Sequence, residues 1–519
     1  MPTRHTVRNL IWTALAFAAV AAVIFIYLLT VPAPLERYLQ SRMLLALRQH
    51  YNADVQIENL HVTLLPEFYA TADNFVLPNR GGPDLPPLIT VKHVTVRAGV
   101  LELLRTPVHL SWLRLDGLVI QVTPKRDHPT AAAAPTQLPK QRSHLANFVI
   151  DKVDADNTEL YILRKDPKRE PMEFQLRRLT LHSAGIGQPM NFSADLTNPT
   201  PPGLIETAGH FGPWNFDDPS GTKVDGHYTF HNADLSVFNG ISGILSSVGE
   251  YRGILHNIVV DGTTDVPDFQ LDRGGQPVHL TTQFHAIVDG TNGNTYLQPV
   301  NAHFLNTDVT TDGEVASKPG EHGKTITLDV DIEQARVQDV LSLAAKSEPA
   351  LLTGQLKLKA KLVLPPGKDT VLQKMLLNGR FNISDARFTD ERMKSAIAGL
   401  SRRGQGKPED TSITDVPAQF AGNFALGKGT LTFNHLTFEV PGVQAQVKGS
   451  YGLAGGDINF VGDVRLTATV SQTMTGSKRV LLAPFDAIFM KHGAGTYLPV
   501  AVTGTRQHPE VKLQWKQLF

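Results

Sequence analysis

The sequence predicts a mainly β protein: one N-terminal transmembrane helix, then an elongated, twisted antiparallel β-sheet with a few amphipathic helices. Three observations carry this expectation. From residue 53 onward apolar and polar residues alternate with period two over most segments, as in strands with one apolar and one wet face. Leu10 to Val31 (LIWTALAFAAVAAVIFIYLLTV) is a 22-residue run without a charge. It measures about 33 Å as a helix, against a bilayer core of roughly 30 Å. Three segments, beginning at Ala233, Ala335 and Ala386, carry apolar residues at helical spacing.

Composition narrows the function classes. A hydrophobic share of 41% and a charged share of 19% are those of a folded chain, which sets wholesale disorder aside. Lys plus Arg and Asp plus Glu both number 49, so no net field recommends nucleic acid as a partner. The absence of cysteine excludes disulfides, thiolate catalysis and Cys-based metal sites.

Taken in order, residues 1–9 read as a cytoplasmic tail and residues 10–31 as the span. A cleavable signal peptide is the alternative, but its apolar region would be about 7–15 residues long. Arg4 and Arg8 precede the span, which places the N-terminus in the cytoplasm. In a bacterium with two membranes the protein is then a single-pass inner-membrane protein with its bulk in the periplasm. LERYLQSRMLLALRQHYN (35–52) reads as an amphipathic helix, either packed on the first strands or resting on the bilayer. Strand patterns fill the rest of an N-terminal β region (32–125). Residues 126–142 (RDHPTAAAAPTQLPKQR, from Arg126) lack periodicity and read as a linker or surface loop. A central β region (143–330) and a C-terminal β region (331–519) follow. Asp116-Gly117, Asp225-Gly226, Asp261-Gly262, Asp289-Gly290 and Asp312-Gly313 each suit a tight hairpin turn. The segments at Ala233, Ala335 and Ala386 form a degenerate repeat of amphipathic helix and strands, which suggests growth by adding similar units.

Motifs for chemistry fail on their geometry. GEHGKT (320–325) ends like a phosphate loop, but its glycines are too close and no helix begins at its end, so it reads as a hairpin turn. DGTNGNT (289–295) has Asn294 and Val300 where a calcium loop needs Gly and Glu, so turn chemistry explains it. His227 and His231 lie in a strand pattern, where four residues span about 13 Å, too far to share a zinc. Asp154 with Asp156, and Asp217 with Asp218, read as solvated surface charges. No metal, cofactor or catalytic residue is called, and the chain reads as non-enzymatic.

The stretch GTLTFNHLTFEVPGVQAQVKGSYGLAGGDINFVGDVRL (429–466) shows what remains. Its apolar positions are Leu431, Phe433, Leu436, Phe438, Val440, Val443, Val447, Ile458, Phe460, Val464 and Leu466, with polar residues between them. Such a face must be buried, or it exposes a patch larger than a monomer tolerates. Facing sheets, helices or acyl chains can each cover it. At about 0.8 kcal/mol per buried CH₂, one sixteen-carbon chain returns roughly 10 kcal/mol relative to water. The amphipathic segment Val480–Met490, with Leu481, Leu482, Phe485, Ile488 and Phe489, is the expected plug for one end of this face.

The single span, the following helix and YNADVQIENLHVTLLPEFYATADNFVLPN (51–79) resemble the start of the AsmA family. ARFTDERMKSAIAGL (386–400), LTFNHLTFEVPGVQAQVKGSYGL (431–453) and YLPVAVTGTRQHPEVKL (497–513) resemble its C-terminal region, the Pro-Val-x-Val-x-Gly-Thr ending most of all. The resemblance implies an anchored periplasmic protein, similar to TamB and to bridge-like lipid-transfer proteins with a taco-shaped sheet and an apolar groove. It implies phospholipid or another acyl-chain lipid as ligand, with the inner membrane and outer-membrane assembly or envelope proteins as partners, and a part in outer-membrane biogenesis. The eleven apolar residues above are then lipid-contact candidates. The rival is a structural or assembly scaffold of the envelope with a dry, packed core.

The topology is directly testable. A reporter active only in the cytoplasm, fused after Phe519, is expected to be silent; activity there reverses the orientation and removes the envelope reading.

Overall fold

The computed structural model describes residues 55–63, 67–78, 86–99, 102, 108–122, 148–163, 171–185, 188–213, 219–271, 275–318, 323–344, 350–453, 455–490 and 495–514. The expected tail, span, amphipathic helix 35–52 and linker 126–142 lie outside these residues, as do Asp217 and Asp218. Among the described residues no helix is long and apolar enough to cross a membrane. They form a mainly β chain with few helices, as the alternation demands.

By contact the chain divides into two compact units. The first comprises Met1–Pro199, Leu204–Tyr228 and Tyr251–His256, and the second Thr200–Gly203, Thr229–Glu250 and Asn257–Phe519.

The first unit holds β1 (Gln56–Thr63), β2 (Phe68–Leu77), β3 (Ile89–Ala98), β4 (Val108–Leu110), β5 (Trp112–Val122), β6 (Phe148–Ile162), β7 (Met172–Gly185) and β8 (Met190–Pro199). Antiparallel pairs join β1 to β2, β2 to β3, β3 to β5, β6 to β7 and β7 to β8. β6 runs parallel to β4 and β5. A parallel pair needs a connection of a dozen or more residues, and the interval 123–147 supplies that length. Val91, Leu118 and Ala155 are buried together on one face, and Phe75, Ile89 and Leu179 pack against them.

The opposite face of the first unit is polar and closely paired. Trp112 Nε1 donates to Asp154 at 2.7 Å, Thr180 Oγ1 donates to the same carboxylate at 3.1 Å, and Lys152 Nζ lies 2.8 Å away. Desolvation pushes the Asp154 carboxyl up, but hydrogen bonds from Lys152, Trp112 and Thr180 together hold it below its ordinary value. Arg97 stacks over Trp112 at 4.8 Å. Asp156 meets Arg114 at 3.1 Å. These carboxylates therefore tie strands together.

Four more strands, β9 (Pro202–Phe211), β10 (Lys223–Asp234), β11 (Ile241–Ser242) and β12 (Ile244–Ile254), precede the long C-terminal run. The helix expected from Ala233 is absent. A 3-10 turn (Leu235–Val237) leads into β11 and β12 instead. Gly240 and Gly243 sit at φ of 103° and 135°, conformations outside the helical region. The apolar spacing of Leu235, Phe238 and Ile241 is thus helical by coincidence.

The second unit continues as β13 (Asn257–Leu271), β14 (Val278–Val288), β15 (Thr295–Phe304), β16 (Thr307–Ala316), β17 (Thr325–Arg336) and α1 (Val337–Ala344). Then come β18 (Leu352–Leu364), α2 (Val371–Lys374), β19 (Leu376–Phe388), α3 (Glu391–Gly404), β20 (Ala418–Gly427), β21 (Thr430–Val440), β22 (Val443–Gly452) and β23 (Asp457–Leu466). The unit closes with α4 (Ser477–Leu482), α5 (Asp486–Phe489), β24 (Thr496–Thr505) and β25 (Pro509–Leu513). From β13 to β25 each strand pairs antiparallel with the next, a continuous meander. The expected division at residue 330 falls inside β17.

Two of the three expected helices are present, α1 and α3. Each leaves the sheet at the end of one strand and packs back on its apolar face. Under α1 lie Ile332, Ala335 and Leu356, with Val340 and Leu341 packed against them. Its Asp339 is buried and accepts hydrogen bonds from Thr307 Oγ1 and Asn306 N, both at 3.0 Å, which fastens the helix to the β15–β16 turn.

Only one of the five expected Asp-Gly turns is a turn. Asp289 closes the β14–β15 loop, accepting from Thr291 N at 2.9 Å and Asn292 Nδ2 at 2.7 Å. The other four lie within β5, β10, β13 and β16. There Asp225 and Asp261 pair on the wet face with His210 at 2.8 Å and His285 at 2.6 Å, and Asp116 meets Arg114 of its own strand at 3.1 Å. The glycine permits close backbone approach: a Cβ on Gly313 would stand 2.0 Å from the Thr327 carbonyl.

Candidate functional site

The eleven apolar candidates all fall on one face of β21, β22 and β23, and the strand register arranges them in rows. Val440 lies opposite Val443, and Val443 opposite Leu466. Phe438, Ala445 and Val464 form the next row, followed by Leu436, Val447 and Gly462. Beyond these come Phe433, Gly449 and Phe460, then Leu431, Tyr451 and Ile458. Phe433 and Leu436 are three apart, yet they share the face because a bulge at that point takes up the extra residue. Asn434 and His435, between them, are exposed.

One end of this face is dry. Val440, Val443 and Leu466 are buried with Ala398 of α3, and Phe438, Val464, Ile397 and Leu400 pack against the same cluster. Local chemistry sets α3 there. Asp390 caps its N-terminus by accepting from Met393 N at 3.0 Å, with Glu391 in its first turn and Arg402 and Arg403 in its last. Ala398, Ser401 and Gly404 are its buried residues. Ser401 Oγ donates to the Pro441 carbonyl at 2.8 Å. A Cβ on Gly404 would stand 2.4 Å from Val443 Cγ2, so only glycine lets the helix end settle on the β21–β22 turn.

The other end is left open by α3. Leu431, Phe433, Leu436, Val447, Ile458 and Phe460 are half-buried, and none of them belongs to the cluster under the helix. Aromatic rings run across the strands here. Phe381 lies 6.1 Å from Phe424 and 6.2 Å from Phe433, and Phe433 lies 6.0 Å from Phe460. The last contact passes over Gly449, where a Cβ would stand 2.8 Å from the Phe460 ring.

Phe381, Phe388, Phe420 and Phe424 add aromatic rings to the same face beyond the stretch 429–466, with Phe381 packed against the α1 cluster and Phe420 against the α3 cluster. Their signal was the same alternation, visible in AQFAGNFALG of β20, where Phe420, Gly422 and Phe424 are spaced by two. Phe420 stacks on Phe438 with centroids 5.0 Å apart, at the covered end.

The expected plug does not cover the face. Val480 and Leu481 are 77% and 72% exposed, and only Leu482, Asp486 and Phe489 of that segment are half-buried. Helix α3 takes that place, with Ala398, Ser401 and Gly404 buried and Ile397 and Leu400 packed against the cluster.

Polar groups on the other side of these strands keep that side wet. Gln444 donates to Glu439 at 2.6 Å and Arg465 to Asp463 at 2.9 Å. His93, His109, His210, His279, His285 and His303 each sit against an aspartate. Among the described residues no group of three or more His, Asp or Glu side chains is placed to hold a metal ion. No family model, curated protein or solved structure matches this chain.

The two ends of the face separate experimentally. Val443→Asp buries an unpaired charge beneath α3 and is expected to cost at least about 3 kcal/mol. Phe460→Asp, half-exposed, is expected to cost about 1–2 kcal/mol. Urea unfolding of the two variants checks this; equal losses would mean that the open end is packed as tightly as the capped one.

Proposed function

We propose that this chain is an AsmA-like, inner-membrane-anchored periplasmic protein that binds acyl chains along the uncovered part of this face. In this reading it contributes to phospholipid transport and outer-membrane biogenesis without catalysing a reaction. The supporting observation is the unequal covering of one continuous apolar face. Phe433, Leu436, Val447 and Phe460 continue the surface that α3 buries at Val440, Val443 and Leu466, yet they are half-buried and lie outside the cluster under that helix.

An acyl chain fits the chemistry of such a surface. It offers methylene groups without directional demands, and aromatic rings with glycine gaps present a smooth, polarizable floor. Removing those groups from water is the whole driving force required. Apart from Tyr451, the residues of this face on β21, β22 and β23 are apolar or glycine, and the Gln444–Glu439 and Arg465–Asp463 pairs lie on the other side of the strands. Transfer then depends on continuity of the surface and on a donor bilayer held nearby, which the run at residues 10–31 would provide by raising the local lipid concentration.

The scaffold reading draws on the capped end, where α1 and α3 make ordinary dry cores. The two readings part at the open end. A photo-crosslinking residue at Phe433 or Leu436 of the full chain is expected to capture phospholipid, while one at Val443 captures only α3. Native mass spectrometry of the full chain, released from lipid nanodiscs, is expected to show co-purified phospholipid. Crosslinks confined to this chain at all three positions, with no bound lipid, would favour the scaffold.

A further inference from the structure

The connection between β23 and β24 breaks the rule that apolar groups here face the sheet. Residues 474–490 carry α4, a 3-10 turn (Ala483–Phe485) and α5. Val480, Leu481, Phe485 and Met490 are 77%, 72%, 48% and 53% exposed. Their own sheet offers no place for them, because α3 already occupies that end of its apolar face.

Charge around this knob is one-sided. Lys478 and Arg479 are exposed beside Val480. Asp486, the one acidic residue of the segment, is turned inward. Its two oxygens accept from Ser471 N at 2.8 Å and Ser471 Oγ at 2.7 Å, and Ser471 is buried. The neighbouring end of α3 adds exposed Arg403 and, just beyond it, Lys407. Of the carboxylates there, Asp410 accepts hydrogen bonds from Ser412, and Glu409 is exposed. The outward surface is therefore apolar at its tip and mainly cationic at its rim.

An apolar tip with a basic rim matches the two layers of an anionic bilayer surface, where side chains enter the headgroup boundary and cations meet lipid phosphates. We propose that residues 474–490 form a membrane-docking element that seats Val480, Leu481 and Phe485 in an anionic bilayer surface. This goes beyond the acyl-chain reading and does not depend on it. A protein whose sheet never holds a lipid would still dock by this knob.

The native chain has no cysteine, so a single Leu481→Cys variant can carry an environment-sensitive fluorophore. The full chain is placed in phosphatidylcholine nanodiscs and offered separate vesicles of phosphatidylcholine with phosphatidylglycerol bearing chain-quenching labels. The expected result is quenching by the added vesicles, with little response at a control label on exposed Lys448. Lys478→Gln together with Arg479→Gln is expected to weaken vesicle binding about thirtyfold, from about 1 kcal/mol per basic residue. Both side chains are exposed, so the melting temperature of the double variant stays at the native value. Absence of quenching overturns the proposal. So does equal binding to vesicles of phosphatidylcholine alone, or a signal that depends on protein concentration without vesicles, which would assign the knob to a second copy of the chain.

Discussion

An antiparallel meander with period-two sequence places every apolar side chain of a strand on the same side, and that side must be shielded from water. In the second unit this constraint governs almost every other feature. Strand after strand from β13 to β25 adds to one apolar surface, so the surface grows with each hairpin. Helices are added only where the chain leaves the sheet between strands. The shielding is therefore local, and the apolar surface extends past it.

How closely a helix can approach decides where the shield ends. Helix α3 lies low because Ala398, Ser401 and Gly404 face the sheet, and Ser401 satisfies the Pro441 carbonyl at the turn beneath it. Hydrogen bonds from Ala468 N to the Gly404 carbonyl and from Thr467 N to the Gly442 carbonyl, at 2.9 and 3.0 Å, bind the β23 end to the same corner. Farther along the strands, Phe433, Leu436 and Phe460 continue the same surface outside the cluster that α3 buries. The described strands are thus closely packed at one end and half-exposed at the other. In the proposed reading, that asymmetry serves acyl-chain binding: a packed platform joined to a surface that a lipid would cover.

The strands and the shared face were legible because alternation reports directly on which side of a sheet a residue lies. The helices α1 and α3 were legible for the same reason at period 3.6. The segment after Ala233 misled because its apolar spacing satisfies a helix, while Gly240 and Gly243 adopt conformations that an apolar pattern does not encode. The Asp-Gly pairs misled because two separate demands, an aspartate for a cross-strand partner, as at Asp225 and Asp261, and a glycine for close approach, as at Gly226 and Gly313, produce the same dipeptide as a turn. The bulge between Phe433 and Leu436 left a trace, an interval of three in a series of twos, and that trace also explains how both residues keep to one face. Which part of the face α3 would cover could not be read, since it depends on backbone distances set by Gly404 and Gly442 across long sequence separations.

The central claim is that one end of the face is sealed by α3 and the other takes lipid. Thiol reactivity of single-cysteine variants tests it most directly, because the native chain contributes no background. In lipid-free protein, Phe433→Cys is expected to react readily with a small thiosulfonate, and Val464→Cys, packed against the α3 cluster, slowly. Added phospholipid should then protect Phe433→Cys and leave Val464→Cys unchanged. Protection of Phe433→Cys without lipid, or reactivity at that position indifferent to phospholipid, would contradict the account.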